Sequence, residues 1–370
     1  MSELPRPADS ADLTGQLQDV VDELSELLNA PAVLEDTDLT LLAYRSQGLD
    51  VDPVRTASIL GKTASAQVRA YFEEQGIRSA TGPMRLPGAP ERQIAPRACL
   101  PVRHANETLG YLWVLEPAAG ITADRLALAE PLARRAGELL ARRLRGVREH
   151  DRLVDELLSG DPAVAGRAQA ALIARGDLVD DGPIAVAVLR TPGLGSPAGS
   201  ARTRVLPVIA GDPTAAPRRV GRWLGLEERA GISRPAESLP MLPTSRREAD
   251  CAARVALARP RLGRVLSWAD LGFYRVAAQG PAAVEALLAE TPAARLRARA
   301  DAELVRTALV YLDEAGQAAR AATELSVHRQ TLYYRLEKIE QLSGVDLDQG
   351  EARLQLHLGL ALAEVLPFLR

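Results

Sequence analysis

The run HRQTLYYRLEK, from His328 to Lys338, concentrates side chains that hydrogen-bond well to nucleic acid. Arginine, glutamine, threonine and tyrosine are the types that reach base edges and phosphate oxygens. Leu332, Leu336 and Ile339 recur at i, i+4 and i+7, which places them on one buried helical face. The opposite face then carries Gln330, Thr331, Tyr334 and Lys338, flanked by Arg329 and Arg335. Arg329 and Gln330 stand in the first turn, the part of a recognition helix that enters the major groove first. The free N–H groups of the helix start offer a seat for a phosphate. A blander reading fits the same spacing. Any amphipathic surface helix is polar opposite its core, Tyr333 can cover the domain, and Arg335 can pair with an acid such as Glu324. Glu337 also falls near the polar face, where it would repel phosphates.

Positioning this helix requires a partner before it. AARAATEL reads as one helix, SVH as a turn and RQTLYYRLEKI as a second helix, a helix-turn-helix spacing. Alanines 318, 319, 321 and 322 permit close helix approach, Leu325 closes the core, and Val327 plugs the turn. Upstream, AELVRTALVYLDEAG ends at Gly316 as a C-cap, and downstream EARLQLHLGLALAEVLPFL continues the helical pattern. From about residue 301 the chain reads as all helix.

The stretch YLDEAGQAARAATELSVHRQTLYYRLEKIEQLSGVDL, Tyr311 to Leu347, resembles the C-terminal helix-turn-helix of PucR/CdaR-type bacterial transcriptional regulators. VHRQTLYYRL followed by IEQLSGVDL carries the likeness, which is more specific than a generic helix-turn-helix match. The family usually has asparagine where this chain has Gln317 and Gln330, and the second change lies on the expected reading face, so the operator would differ. The motif also resembles the Fis-type helix-turn-helix, which implies His328 as the helix N-cap or a phosphate contact, with Arg329 and Thr331 touching DNA.

The remaining chain bounds the function. It has 370 residues, enough for two or three domains, with a formal net charge of -3, which argues against coating nucleic acid non-specifically. Cys99 and Cys251 stand far apart with no CxxC pair, so neither a disulfide framework nor zinc is expected, and a cytoplasmic setting fits. The four histidines, His104, His150, His328 and His357, form no metal spacing; His357 reads as a satisfied core or interface residue, and Cys99 as a small buried hydrophobe. The N-terminus lacks the apolar segment of a signal peptide, and no apolar run is long enough to span a membrane. No cofactor is expected.

Residues 1–12 read as a disordered lead-in. Next comes a helix spaced by Leu17, Val20, Leu24 and Leu27, then two strands about a turn at Asp36–Asp38. A helical stretch over 53–75 and a hairpin over 97–117, turning at His104–Glu107, complete an α+β sensor-like domain over 13–121, similar in layout to a GAF domain. A connecting helix follows over 122–160, interruptible at Pro131 and Gly146. Its apolar stripe, Leu132, Ala136, Leu139, Leu140, Leu144, Val147, Val154, Leu157 and Leu158, either packs on its own domain or pairs two chains.

A second α+β domain is expected over 161–290: a strand at 182–190, a Gly/Pro/Ser loop at 191–201, and strands in TRVLPVIAG and RRVGRWLGL. It continues with a helix over 245–258 capped by Ser245 and Glu248, then helices in WADLGFYRVAAQ and PAAVEALLAET. This part resembles the central, degenerate GGDEF-like domain of the same regulators. Cyclase chemistry would need a Gly-Gly turn and adjacent acids for magnesium, whereas Asp212 stands alone after Gly211. GLGSPAGSA is no phosphate loop, because no GK[ST] follows it.

The expected fold is therefore multidomain: a GAF-like sensor, a GGDEF-like central domain and an all-α helix-turn-helix domain over 301–370. The expected function is a dimeric, sequence-specific transcriptional regulator. Its partners would be double-stranded DNA, a second copy of itself and a small-molecule effector, with no membrane. A signalling scaffold whose C-terminal helices bind a protein, and an enzyme built on the central domain, are the competing classes.

Overall fold

The computed structural model describes residues 8–46, 65–117, 120–178, 182–191, 203–209, 215–225 and 227–370. The expected helix before Ala66, most of the Gly/Pro/Ser loop and Asp212 lie outside the described residues. The chain divides into two compact units, one of Pro5–Arg152 with Arg175–Asp177, the other of Leu153–Ala174 with Leu178–Arg370.

The N-terminal unit opens with helix α1, Ala8–Leu28, so residues 8–12 are helical rather than part of a lead-in. Strands β1, Ala32–Asp36, and β2, Leu41–Arg45, follow. The Asp36 carboxylate ties their turn by accepting from the Asp38 and Thr40 N–H groups at 2.9 and 2.8 Å. Helix α2, Ala66–Glu74, is capped by Ser65. Strand β3, Met84–Leu86, then joins the expected hairpin, β4, Arg97–His104, and β5, Glu107–Leu115. The antiparallel sheet runs in the order β2-β1-β5-β4-β3. Strand alternation sends Leu34, Leu100, Leu112 and Val114 to one face, under α1, and Val33, Cys99, Tyr111 and Trp113 to the other, under α2.

The exit helix is two helices: α3, Ala123–Leu128, and α4, Glu130–Leu157. Pro131 has no N–H to donate and begins the second, while Gly146 is passed without a break. Leu139 and Leu140 are buried in the N-terminal unit, and Val154, Leu157 and Leu158 in the C-terminal one. Leu144 and Val147 between them are exposed.

Glu35, on β1, is buried among apolar side chains. Burial pushes its carboxyl up to about 7; the neighbouring Trp113 indole and the Arg97 charge offset this only in part. The folded unit therefore holds a proton that the unfolded chain releases from its ordinary value of 4.5 upward, so its stability falls as pH rises from there to about 7. The loss is on the order of 3 kcal/mol. Thermal unfolding of the N-terminal unit is expected at lower temperature at pH 8 than at pH 5, and Glu35→Gln should flatten that dependence. An unchanged pH profile in the variant would contradict the assignment. Cys99 on the same face is fully buried and its thiol is pushed far up, which leaves it a core side chain.

The C-terminal unit begins with the end of α4 and α5, Pro162–Ala174. Strands β6, Ile184–Arg190, β7, Thr203–Ile209, β8, Arg229–Ile232, and β9, Val265–Ser267, form a sheet in the order β7-β6-β8-β9. All its pairs are antiparallel except β8 with β9. RRVGRWLGL is not a strand: Arg218 to Trp223 belong to α6, Ala215–Trp223, where Ala216 and Val220, one turn apart, are buried. Helix α7, Leu242–Ala258, packs on β8 and β6. It approaches β8 so closely that a Cβ on Gly231 would meet α7 backbone at 2.1 Å. The helix starts three residues before the expected cap because Pro243 opens its first turn. Ser245 is therefore buried inside the helix, and Glu248 instead accepts from the Arg234 backbone N–H at 3.1 Å and pairs with its guanidinium. WADLGFYRVAAQ forms two 3-10 segments, Trp268–Asp270 and Gly272–Gln279, followed by helix α8, Pro281–Leu288.

Helices α9, Pro292–Arg299, α10, Ala302–Asp313, α11, Ala318–Glu324, α12, Arg329–Ser343, and α13, Gly350–Val365, complete the chain. They share a core that includes Leu296 of α9, so this helical region begins before residue 301. It does not separate from the central region. Ala361, Leu362, Ala363 and Val365 of α13 share a cluster with Cys251, Ala252, Val255 and Ala256 of α7.

Candidate nucleic-acid interface

The recognition-helix candidate α12 is held as its spacing predicts. Leu332, Leu336 and Ile339 are buried against Leu304, Ala308 and Leu312 of α10 and Ala321 and Ala322 of α11. The turn closes through the Val327 N–H donating to Ala322 O at 3.0 Å, with Ser326 in the left-handed region at φ 55° and Val327 packed on the core. Before α11 the chain reverses through Ala315 and Gly316. Gly316 stands there at φ 76°, a conformation that side chains rarely adopt, with the Arg353 guanidinium packed against it and donating to Ala315 O at 3.0 Å.

His328 is the N-cap of α12, and its Nδ1 accepts the Gln330 N–H at 3.3 Å. That bond takes up one of the free N–H groups of the first turn. Arg329 stacks over the Tyr333 ring at 5.3 Å and donates to the Tyr333 hydroxyl at 2.9 Å. Its guanidinium is thus partly ordered before any ligand arrives, though it remains exposed. Gln330, Thr331, Tyr334 and Lys338 are exposed as expected, and Tyr334 keeps 68% of its surface in solvent. Glu337 is exposed among them, and Gln341 extends the polar stripe by one more turn.

Arg335 departs from this group. It is half-buried, pairs with Glu303 at 2.5 Å and donates to the Thr307 hydroxyl at 3.3 Å. Both partners lie on α10, so Arg335 braces the recognition helix rather than facing outward, and its acid is not Glu324.

A second polar group, which spacing does not bring to notice, anchors the helix-turn-helix. Arg259, at the end of α7, is 6% exposed and donates to both Asp313 oxygens at 2.7 and 2.9 Å and to Glu364 at 2.7 Å. His357 meets Asp313 at 2.8 Å, the satisfied interface role expected of it. Burial pushes the Asp313 carboxyl up, but the His357 hydrogen bond and the Arg259 charge outweigh it and hold the group below its ordinary range. Arg261 reaches Glu314, which also pairs with Arg320 at 2.8 Å. Among the described residues no His, Cys, Asp and Glu cluster could hold a metal ion, and no helix is long and apolar enough to cross a membrane.

Two helices joined by a tight turn, the second exposing a polar face of base-reading residue types, define a helix-turn-helix domain. Residues 304–362 match the PucR C-terminal helix-turn-helix domain family, and the chain carries a PucR-type helix-turn-helix. It is similar to three curated proteins of Bacillus subtilis (strain 168). The DNA-binding transcriptional activator AdeR is 29% identical over 105 residues, 27% of this chain and 25% of that one. The proline-responsive transcriptional activator PutR is 23% identical over 144 residues, 38% of this chain and 35% of that one. The purine catabolism regulatory protein is 39% identical over 66 residues, 18% of this chain and 12% of that one. Each match thus spans well under half the length of the relative.

Proposed function

We propose that this chain is a sequence-specific DNA-binding transcriptional regulator, acting as a cytoplasmic homodimer and answering a small molecule through its N-terminal unit. The observation that carries the reading is the outward face of α12. There Gln330, Thr331, Tyr334 and Lys338 stand exposed behind a His328-capped helix start, in a PucR-type helix-turn-helix. Glutamine pairs in bidentate fashion with adenine, and Arg329 and Lys338 supply phosphate contacts. The relatives' names, two activators and a regulatory protein, support regulation rather than catalysis. The five-stranded sheet with helices on both faces supports a GAF-like sensor, and the four-stranded sheet with α7 supports a degenerate GGDEF-like domain.

Dimer formation rests on the exposed Leu144 and Val147, one turn apart on a 28-residue helix. Two copies at fixed spacing multiply affinity through effective concentration. The Leu144→Asp, Val147→Asp double variant is expected to halve the mass seen by light scattering and to weaken DNA binding at least tenfold. A variant that keeps its mass would remove α4 from the dimer interface. The reading as a whole is tested by footprinting upstream DNA. Two protected half-sites about one helical turn apart, or a multiple of it, are expected. Absence of any protected site in the presence and absence of cell metabolites would overturn it.

A further inference from the structure

A cavity of about 490 Å³ opens in the C-terminal unit beside α7, away from the helix-turn-helix face. Four arginines line it: Arg190 from β6, and Arg246, Arg247 and Arg254 from α7. Asp250 is the one acid among the lining residues. It serves two of the four, accepting from Arg190 Nε at 2.9 Å and from Arg254 Nε at 2.7 Å. Arg247 donates to the Thr244 hydroxyl at 3.1 Å, and its pairing extends to no carboxylate among the described residues. Arg246 meets Asp155 at 3.3 Å, but that acid is 70% exposed and the pair is worth little in water. The lining thus carries three more positive than negative charges, in a chain whose net charge is -3. Composition does not produce that concentration.

The floor is of another character. Val205 of β7, Ala278 and Leu369 offer accessible apolar surface there, over the buried Val188 opposite Val205 and the buried Ala277. A rim of guanidinium forks over an apolar floor suits a ligand with a compact, multiply charged anionic end and an organic body. A phosphate monoester carries about -1.5 to -2 charges near neutral pH and three acceptor oxygens. It matches the excess charge better than a single carboxylate, and planar guanidinium groups grip it in bidentate fashion. We propose that this cavity binds phosphate monoesters, with the phosphate at Arg247 and Arg254 and the organic body on Val205, Ala278 and Leu369. The site stands apart from the DNA-reading face and does not depend on the proposed function.

Phenyl phosphate titrated into the full-length protein tests this, with phenol and inorganic phosphate as parallel arms and thermal unfolding of the C-terminal unit as the readout. Phenyl phosphate should raise the unfolding temperature saturably at constant ionic strength. Phenol should not, and inorganic phosphate should bind more weakly. Arg247→Ala should raise the dissociation constant roughly tenfold or more, since it removes a charge-assisted contact. Arg247 is exposed and makes no core contact, so its variant should unfold at the same temperature as the parent without ligand. No saturable shift up to tens of millimolar, or an equal shift in Arg247→Ala, would overturn the site. Inorganic phosphate binding as tightly as phenyl phosphate would overturn the placement of an organic body on the apolar floor.

Discussion

The Arg329→Ala, Gln330→Ala double variant is expected to lose specific DNA binding by roughly a hundredfold or more while keeping its helix content. Each base-edge or phosphate contact of this kind is worth about 1–3 kcal/mol. Both side chains are exposed, so their removal leaves the Leu332, Leu336 and Ile339 core untouched. Arg329 does lose its stacking on Tyr333, a surface contact worth about 0.5–1 kcal/mol. The salt dependence of the remaining binding should shallow by about one phosphate contact. Arg335→Ala is the informative control. It breaks the brace to Glu303 and Thr307 and should reduce stability, with its effect on DNA binding following from a loosened helix. Gel-shift titration with circular dichroism on the same samples reads both effects. A double variant that binds as well as the parent would place the reading face elsewhere.

Asp313→Ala is expected to destabilise the C-terminal unit by about 3–5 kcal/mol, because it strands a buried guanidinium. Arg259 is 6% exposed, and without Asp313 it would retain Glu364, itself half in water. Chemical denaturation gives the magnitude. Adding Arg259→Met to the aspartate variant should recover much of the loss, since the uncompensated charge is gone. Two independent, additive losses would mean the pair does not couple. The depressed Asp313 value also fixes a sign. Its contribution is full above the unfolded carboxylate range and disappears as pH falls through the folded value.

Elements with local causes were legible in the sequence. The period of Leu332, Leu336 and Ile339 identified the core face of α12, and the alternation over 97–117 identified the hairpin. Elements with distant causes were not. Arg335 looked like a DNA contact because its partner Glu303 lies 32 residues away on another helix. The capping pair Ser245 and Glu248 satisfied a local pattern, but Pro243 starts the helix sooner and Arg234 claims the glutamate. RRVGRWLGL read as a strand, yet its arginines and Val220 fall at helical spacing. The shared core of α7 and α13 was not foreseen either. Its signal was present in LGLALAEV, a helix end apolar on nearly every side, which requires burial all round.

The most direct measurement is binding of the full-length protein to DNA upstream of its own and neighbouring genes at two salt concentrations, beside the Arg329→Ala, Gln330→Ala variant. The account predicts saturable binding to one fragment, weakening steeply with salt as counterions are released, and lost in the variant. Binding indifferent to salt, or retained in the variant, would contradict it and point to a protein partner for the C-terminal helices.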